Sequence, residues 1–191
     1  MRVKTTFLSR IATTASCSFA LLLLLVPCAT RAEAQTATAG EDEIRAAMVL
    51  HLMLFVDWPA SKMDSAHPQF VVCVLGADPI RPVLESVFRD KIVASKPVVV
   101  ERHSANDKLD GCHVLYVGFN ARKDFLRQVP ALQQSSVLTI SERSNTMDAG
   151  QVIGFPIEEE HVKIEVNLQS AQLSKLTISS RLLHLATLVG K

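Results

Sequence analysis

Cysteine, histidine and clustered acidic residues are the side chains in this 191-residue sequence that could carry out chemistry. Cys112 and His113 are adjacent, which raises the possibility of a thiolate–imidazole pair for nucleophilic catalysis. Consecutive residues of a strand point to opposite faces of a sheet, so these two side chains should not meet. One half of a disulfide is therefore the better interpretation of Cys112.

The spacing of the histidines does not favour a metal site. They stand at positions 51, 67, 103, 113, 161 and 184, never three or four residues apart on one helix face. His51 lies among leucines of a predicted helix and is more typical of a half-buried helix residue than of a ligand. Phosphate-loop, serine-hydrolase and zinc-hydrolase motifs are absent from the sequence. We therefore predict a non-enzymatic protein with no catalytic residue, no metal and no cofactor.

Two polar loops could hold a ligand. Residues 141–145, Ser-Glu-Arg-Ser-Asn, follow a predicted strand, which is where α/β folds often place ligand-binding groups. A solvated loop is the alternative interpretation. Residues 158–160 are three glutamates that could bind a cation, although a charged hairpin turn explains them as well.

Four further residues are candidates for binding a partner or a ligand. Trp58, the only tryptophan, lies at a predicted helix exit, where it either covers the core or anchors a partner. Glu165 and Asn167 are two positions apart in an apolar strand, so they share a face that meets either solvent or a partner. Arg181 lies near the start of a predicted helix, where the dipole disfavours it, so pairing with an acid such as Glu165 is expected.

The elements that must position these residues alternate between strand and helix. Apolar periodicity and capping signals predict helix 42–56, strand 70–75, helix 78–89, strands 97–101 and 113–117, helix 122–128 and strand 136–141. The chain then changes to an antiparallel hairpin, 152–157 with 162–167, and to helices over 168–173 and 179–188. We predict an α/β protein, a three-layer α/β/α sandwich with a mixed, mainly parallel sheet and a C-terminal β-hairpin followed by helices.

The first 34 residues have the three parts of a secretory signal peptide. A basic start precedes an apolar run over 19–26, and Ala32 and Ala34 place small residues at both key positions of a cleavage site. The apolar run is shorter than the roughly 20 residues that span a bilayer. We expect cleavage after Ala34 and export to the periplasm. Lipid attachment at Cys28 is the alternative, which Pro27 at the cleavage position disfavours.

The remainder would consist of a flexible lead over 35–42 and a single domain over 43–190. Loss of residues 1–34 removes four bases and one acid, which leaves 16 Lys and Arg against 18 Asp and Glu. Such a balanced surface excludes the basic face that nucleic-acid binding requires. Two cysteines, Cys73 and Cys112, remain in an oxidising compartment, where they are available for one disulfide.

The order and spacing of several segments resemble the YfiR-like family of periplasmic proteins. The similarity covers about residues 43–188 and is carried by Ile44–Ala47, His51–Pro59, Cys73–Pro79, Gly111–Gly118, Val137–Ser141, Ile153–Phe155, Ile164–Leu168 and Ile178–Leu183. The resemblance implies a repressor that binds the periplasmic sensory domain of a membrane-bound diguanylate cyclase and holds down cyclic-di-GMP synthesis and biofilm formation. It also implies a Cys73–Cys112 disulfide and a homodimer. A second cysteine pair, found in some relatives, is absent here.

A periplasmic small-ligand-binding module is the alternative function. Its ligand would lie at the carboxyl ends of the sheet strands, near Gly76, Asp78 and Gly118. A cleft at this position would favour the ligand-binding module. An exposed apolar patch near Trp58 or the final helices would favour the regulatory protein.

Overall fold

The computed structural model describes residues 32–143, 147, 149–158 and 161–190. The predicted signal peptide lies outside these residues except for its last three positions. Ser144, Asn145, Glu159 and Glu160, which belong to the two polar loops, also lie outside them. Within the described part of the chain, no helix combines the length and the apolar character needed to cross a membrane.

The helices follow the apolar periodicity of the sequence, with shifted ends. The described residues form five of them: α1 (Ala32–Met53), α2 (Ile80–Phe88), α3 (Arg122–Gln134), α4 (Leu168–Leu173) and α5 (Ser180–Leu183). α1 begins ten residues before its predicted start and includes the segment 35–42, which the sequence predicted to be a flexible lead. Four alanines between residues 32 and 39 favour helix there.

The strands are short, apart from two in the main sheet. The described residues form twelve: β1 (Val56–Asp57), β2 (Phe70–Leu75), β3 (Ile92–Val93), β4 (Lys96–His103), β5 (Val114–Val117), β6 (Leu138–Ser141), β7 (Ile153–Gly154), β8 (Ile157–Glu158), β9 (His161–Val162), β10 (Glu165–Asn167), β11 (Thr177–Ile178) and β12 (Thr187–Val189). Eight of them form one sheet in the order β12-β10-β7-β6-β5-β2-β4-β3. β1 pairs with β11, and β8 pairs with β9.

Most neighbours in the eight-stranded sheet are parallel. The parallel pairs are β12–β10, β7–β6, β6–β5, β5–β2 and β2–β4, and the antiparallel pairs are β10–β7 and β4–β3. The predicted α/β class with a mixed, mainly parallel sheet is confirmed. In the antiparallel pair, Glu165 of β10 is opposite Gly154 of β7.

The end of the chain differs from its prediction. The helix expected over 179–188 stops at Leu183, and Thr187–Val189 form the edge strand β12 instead. β12 pairs in parallel with β10, Thr187 beside Glu165 and Val189 beside Asn167. Pairing with an available strand edge is a tertiary interaction, and it overrides the local helical pattern of these residues.

Alternate residues of β2 contribute to two separate apolar clusters. Phe70, Val72 and Val74 lie in a cluster with residues of α1 and α2. Cys73 and Leu75 lie in a second cluster with residues of α3. Both sides of β2 are thus covered, which explains its continuous apolar sequence. Residues 39–191 form one compact unit around these clusters.

Candidate functional site

A group of charged side chains lies where α1 meets the carboxyl end of β6. Arg45 Nε is 2.7 Å from Glu142 Oε2, and Arg45 Nη1 donates to Asp42 Oδ1 at 2.6 Å. The three side chains are between 15% and 24% exposed. Since Arg45 Nε has no aligned hydrogen-bond acceptor among the described residues, its contact with Glu142 is an ion pair only. This pair connects α1 to the loop after β6.

Burial sets the protonation behaviour of this charged group. It raises the pKa of the Glu142 carboxyl above its usual value, and Arg45 counteracts part of that rise. Burial also raises the pKa of the Tyr116 hydroxyl, with a further contribution from Glu142. Burial alone would lower the pKa of Arg45, but Glu142 and Asp42 raise it above its ordinary value. Burial is therefore the main cause of the raised pKa of Glu142, and Arg45 is the charge that opposes it.

The predicted ligand positions at the ends of β2 and β5 serve the fold. Asp78 Oδ1 accepts the N–H of Ile80 at 3.1 Å, and its Oδ2 accepts the N–H of Phe119 at 2.9 Å. A Cβ on Gly118 would lie 2.8 Å from the Leu75 carbonyl oxygen, so the close approach of the backbone requires glycine there. Both carboxylate oxygens of Asp78 are thus already bonded within the chain.

A shallow depression of about 490 Å³ opens next to these turns. It is lined by Ala77, Asp78, Pro79, Arg81, Pro82 and Arg102. Arg81 Nε is 2.7 Å from Glu85 Oε1, so its charge is partly satisfied by its own helix. The lining offers two guanidinium groups beside the Asp78 carboxylate, and the two cations suit an anionic ligand.

Three of the exposed large apolar side chains lie near the end of the chain. Leu185 is 74% exposed, Leu188 in β12 is 51% exposed and Leu173 at the end of α4 is 52% exposed. β12 is the outermost strand of the described sheet and pairs with β10 on one side only. An edge strand that carries apolar side chains is a surface on which another protein can add a strand or pack.

Trp58 covers the core rather than projecting from it. Its ring meets Phe70 edge to face, with centroids 5.1 Å apart, and its Nε1 donates to the His113 carbonyl oxygen at 3.1 Å. The residue is half-buried. Of the two interpretations of Trp58, the geometry favours the one in which the ring packs on the core, since it meets Phe70 of β2 and packs against the apolar cluster that includes residues of α1.

Glu165 and Asn167 differ in what their side chains reach. Glu165 is half-buried, between Gly154 of β7 and Thr187 of β12. Asn167 is only 4% exposed. Its Oδ1 accepts the N–H of Ser170 at 2.9 Å as the N-cap of α4, and its Nδ2 donates to the Met147 carbonyl at 2.9 Å. Hence the amide of Asn167 acts within the fold, and Glu165 is the more accessible residue of the pair.

Arg181 lies in α5 with an exposed side chain. Ser179 is the N-cap of α5, and its Oγ accepts the N–H of Arg181 at 3.3 Å. The ion pair expected between Arg181 and Glu165 is not among those formed by the described residues, so that expectation was wrong. α5 has only four residues, and so short a helix has little dipole for a basic residue to oppose.

Cys73 and Cys112 form a disulfide with Cα atoms 5.8 Å apart. Cys73 is in β2, and Cys112 immediately precedes His113, which leads into the neighbouring strand β5. Both cysteines are buried. The disulfide thus joins β2 to the segment that leads into β5, in the second apolar cluster with residues of α3.

His113 and Lys62 hold the segment after Trp58 against the sheet. The buried His113 ring accepts the N–H of Val71 at Nδ1 and lies 3.2 Å by Nε2 from the Lys62 carbonyl. Since Nδ1 accepts, the neutral ring carries its proton on Nε2. Lys62 Nζ donates to the Asp110 carbonyl. Burial, and the Lys62 charge after it, lower the pKa of His113 to about 4.

Sequence reasoning missed the Arg45–Glu142 pair and the position of His103. The acids three and four residues before Arg45 were a local signal for ion pairs on one helix face. Nothing local indicated Glu142, which is distant in sequence. His103 comes close to Cys73 and Cys112 because β4 is parallel to β2, a strand order that local pattern does not specify.

Comparison with known proteins identifies the family of this chain. No curated protein matches the chain. A family model described as YfiR/HmsC-like matches residues 42–187, from the charged residues of α1 to the start of β12. Since this match includes both cysteines of the disulfide and nearly all of the main sheet, the chain belongs to the YfiR/HmsC-like family.

Proposed function

We propose that this protein binds the periplasmic sensory domain of a membrane-bound diguanylate cyclase and represses cyclic-di-GMP synthesis. Membership of the YfiR/HmsC-like family indicates a periplasmic regulator. The finer assignment of the partner rests on what is characteristic of YfiR-like proteins. A disulfide between buried cysteines fits a protein of the oxidising periplasm. Export would use residues 1–34 as a cleavable signal peptide.

The observation that carries the proposal is the apolar edge at β12. Leu188 is exposed on β12, the strand that terminates the main sheet, and Leu185, two residues before β12, is exposed as well. A partner strand added there would pair with the outer main-chain groups of β12 and cover Leu188. Glu165, in the adjacent strand β10, and the exposed Arg181 flank this edge in sequence and are proposed to contribute polar contacts.

Repression would work by differential affinity. The regulator has to bind the inactive state of the cyclase more tightly than the active state, because equal affinity for both leaves their ratio unchanged. A shift from 1:99 to 99:1 requires about 5.5 kcal/mol of preference. We propose a homodimer as the regulatory unit, as the resemblance to YfiR-like proteins implies.

The first experiment measures intracellular cyclic-di-GMP in the native host with and without the gene. A rise on deletion that the wild-type gene reverses supports repression. Complementation with Leu188→Asp then tests the surface, and Ile92→Asp is the matched control, because Ile92 is 71% exposed on β3 at the opposite edge of the sheet. Repression by Leu188→Asp equal to that by Ile92→Asp would exclude β12 as the docking edge. No change on deletion would exclude the repressor function.

A small-ligand-binding module is the second candidate, and the depression beside α2 is the observation in its favour. Arg81 and Arg102 give its lining a positive charge suited to an anion. Mass spectrometry of gently purified protein tests it: a co-purified anion that Arg102→Ala loses would favour this function. Arg89→Ala is the control, since Arg89 is also exposed near α2 but does not line the depression.

A further inference from the structure

Three potential metal ligands converge beside β2. The Sγ atoms of Cys73 and Cys112 and a ring nitrogen of His103 all lie within 4.8 Å of one another. Among the described residues, these three form the group of His, Cys, Asp or Glu side chains that lie close enough together to hold one ion. Three neighbouring segments supply it, since His103 ends β4 and aligns with Leu75 of the parallel strand β2.

We infer that the reduced form of this protein binds Zn²⁺ through Cys73, Cys112 and His103. Two thiolates and one imidazole are three of the four ligands of a tetrahedral zinc site, and the fourth position would take water or a carboxylate. The Cα–Cα separation of 5.8 Å lets both sulfurs reach one ion after small side-chain rotations. The inference does not depend on the proposed partner.

Zinc binding requires the disulfide to be opened first. A thiol reductant donates two electrons and two protons: the S–S bond breaks, Cys73 and Cys112 become thiols, and two reductant thiols become a disulfide. Zn²⁺ then replaces the two thiol protons, which are released to solvent. The oxidised protein has no thiolate to offer, so the two states exclude one another.

The surroundings of His103 fit a ligand. Glu101 Oε2 is 3.2 Å from Nε2, and Asp107 Oδ2 is 3.9 Å from Nδ1. Whichever nitrogen binds the ion, the other has a carboxylate beside it that can fix the ring, as metal-bound histidines commonly require. The His103 side chain is 18% exposed, whereas both cysteines are buried, so an ion would enter from the histidine side.

Anaerobic titration with Zn²⁺ tests the inference, with the protein either oxidised or reduced by a phosphine. We expect about one Zn²⁺ per reduced chain and none per oxidised chain. Because Zn²⁺ would bind the folded state, it should also raise the melting temperature of the reduced protein and leave that of the oxidised protein unchanged. His103→Ala keeps both cysteines but removes one ligand. Loss of a residue that only orients a ligand costs about 10–100-fold in metal affinity, and loss of the ligand itself should weaken Zn²⁺ binding by more than that.

His51→Ala is the control, because His51 is exposed on α1 and is not part of the group. Far-UV circular dichroism of each reduced variant reports whether the fold persists. Zn²⁺ affinity of His103→Ala equal to that of wild type would overturn the site, since it would mean that the thiols bind without the histidine. Absence of binding to the folded, reduced wild type would overturn it as well.

Discussion

Trp58 Nε1 donates to the carbonyl oxygen of His113 across 55 positions of sequence, at 3.1 Å. The same ring meets Phe70, and Phe70 stacks on the His113 ring with centroids 4.7 Å apart. Trp58, Phe70 and His113 thus form one aromatic unit that closes the amino end of β2 and β5. The segment that follows Trp58 is held by this unit and by Lys62.

Replacement of Trp58 separates a role in the fold from a role in partner binding. Trp58→Phe keeps a ring against Phe70 but leaves the His113 carbonyl without its donor, which should cost about 1 kcal/mol of unfolding free energy. Trp58→Ala also loses the ring and should cost about 2–3 kcal/mol, less than a fully buried tryptophan. Urea denaturation checks both. If Trp58→Ala weakened partner binding at unchanged stability, Trp58 would be an anchor after all.

Stability should fall in acid through His113. Its folded pKa of about 4 is below the ordinary value of 6.5, so the unfolded state binds the proton more tightly. This contribution is fully present above the ordinary pKa and is lost as pH falls towards the folded pKa, in total about 3 kcal/mol.

His113→Phe isolates the effect, because the variant has no proton to bind at this position. We expect it to be less stable than wild type at neutral pH, since Val71 N–H and the Lys62 carbonyl lose their partner. The difference from wild type should shrink as pH falls. His51→Gln, at an exposed position, serves as control. A difference that stays constant between neutral and acidic pH would contradict the prediction.

The sequence predicted those helices and strands that are determined by the pattern of neighbouring residues. Continuous apolar runs identified β2 and β5, and the Asp78-Pro79 capping signal identified the helix that forms α2. The end of the chain was assigned wrongly, because the fate of Thr187–Val189 depends on the free edge of β10, which local periodicity does not reveal. The disulfide came from family resemblance, since spacing alone does not bring two cysteines together.

The candidate site was less predictable than the fold. Asn167 looked available for a partner because alternation in a strand suggested an exposed face, yet its amide caps α4 at the point where strand becomes helix. The ion pair expected at Arg181 failed for a similar reason, since α5 is much shorter than its predicted span. Exposure of Leu188 follows from the position of β12 at the edge of the sheet, which single-residue patterns do not encode.

Removal of Arg45 should destabilise the protein in a pH-dependent way. Arg45→Met leaves Glu142 half-buried without its counter-charge and should cost about 1–2 kcal/mol at neutral pH, discounted for partial exposure. The folded pKa of Glu142, already raised by burial, would rise further. A raised carboxyl pKa contributes stability that is present below the unfolded value, about 4.3, and is lost as pH rises.

The variant should therefore approach wild-type stability in mild acid and fall behind it as the pH becomes neutral. Chemical denaturation at both pH values measures this. Arg127→Met is a matched control, because Arg127 pairs with Asp124 at 2.7 Å but is 62% exposed. If the two substitutions lowered the free energy of unfolding equally, the Arg45–Glu142 pair would contribute no more to stability than an exposed ion pair.

Asn167 should act through stability alone. Asn167→Ala removes the cap of α4 and the donor to Met147, at a cost of about 2 kcal/mol. Asn167→Asp keeps the capping oxygen but loses the donor, so it should be intermediate. Thermal melts of the three proteins check the order. If Asn167→Ala were as stable as wild type but bound the partner more weakly, Asn167 would be a partner-binding residue.

Glu165 is the residue in β10 that can connect the fold to partner binding. Its side chain is half-buried next to β12, and no ion pair with Arg181 holds it among the described residues. If β12 is the docking edge, Glu165→Ala should weaken binding to the cyclase sensory domain by roughly five- to tenfold, about 1 kcal/mol for a charge at the rim of an interface. Salt should reduce the difference, because rim charges are screened. Glu85→Ala is the control, since Glu85 is exposed on α2, which packs against β4 near the opposite end of the sheet from β12. Titration of the purified sensory domain measures both; equal affinities for the two variants would leave Glu165 as a surface residue without a role in binding.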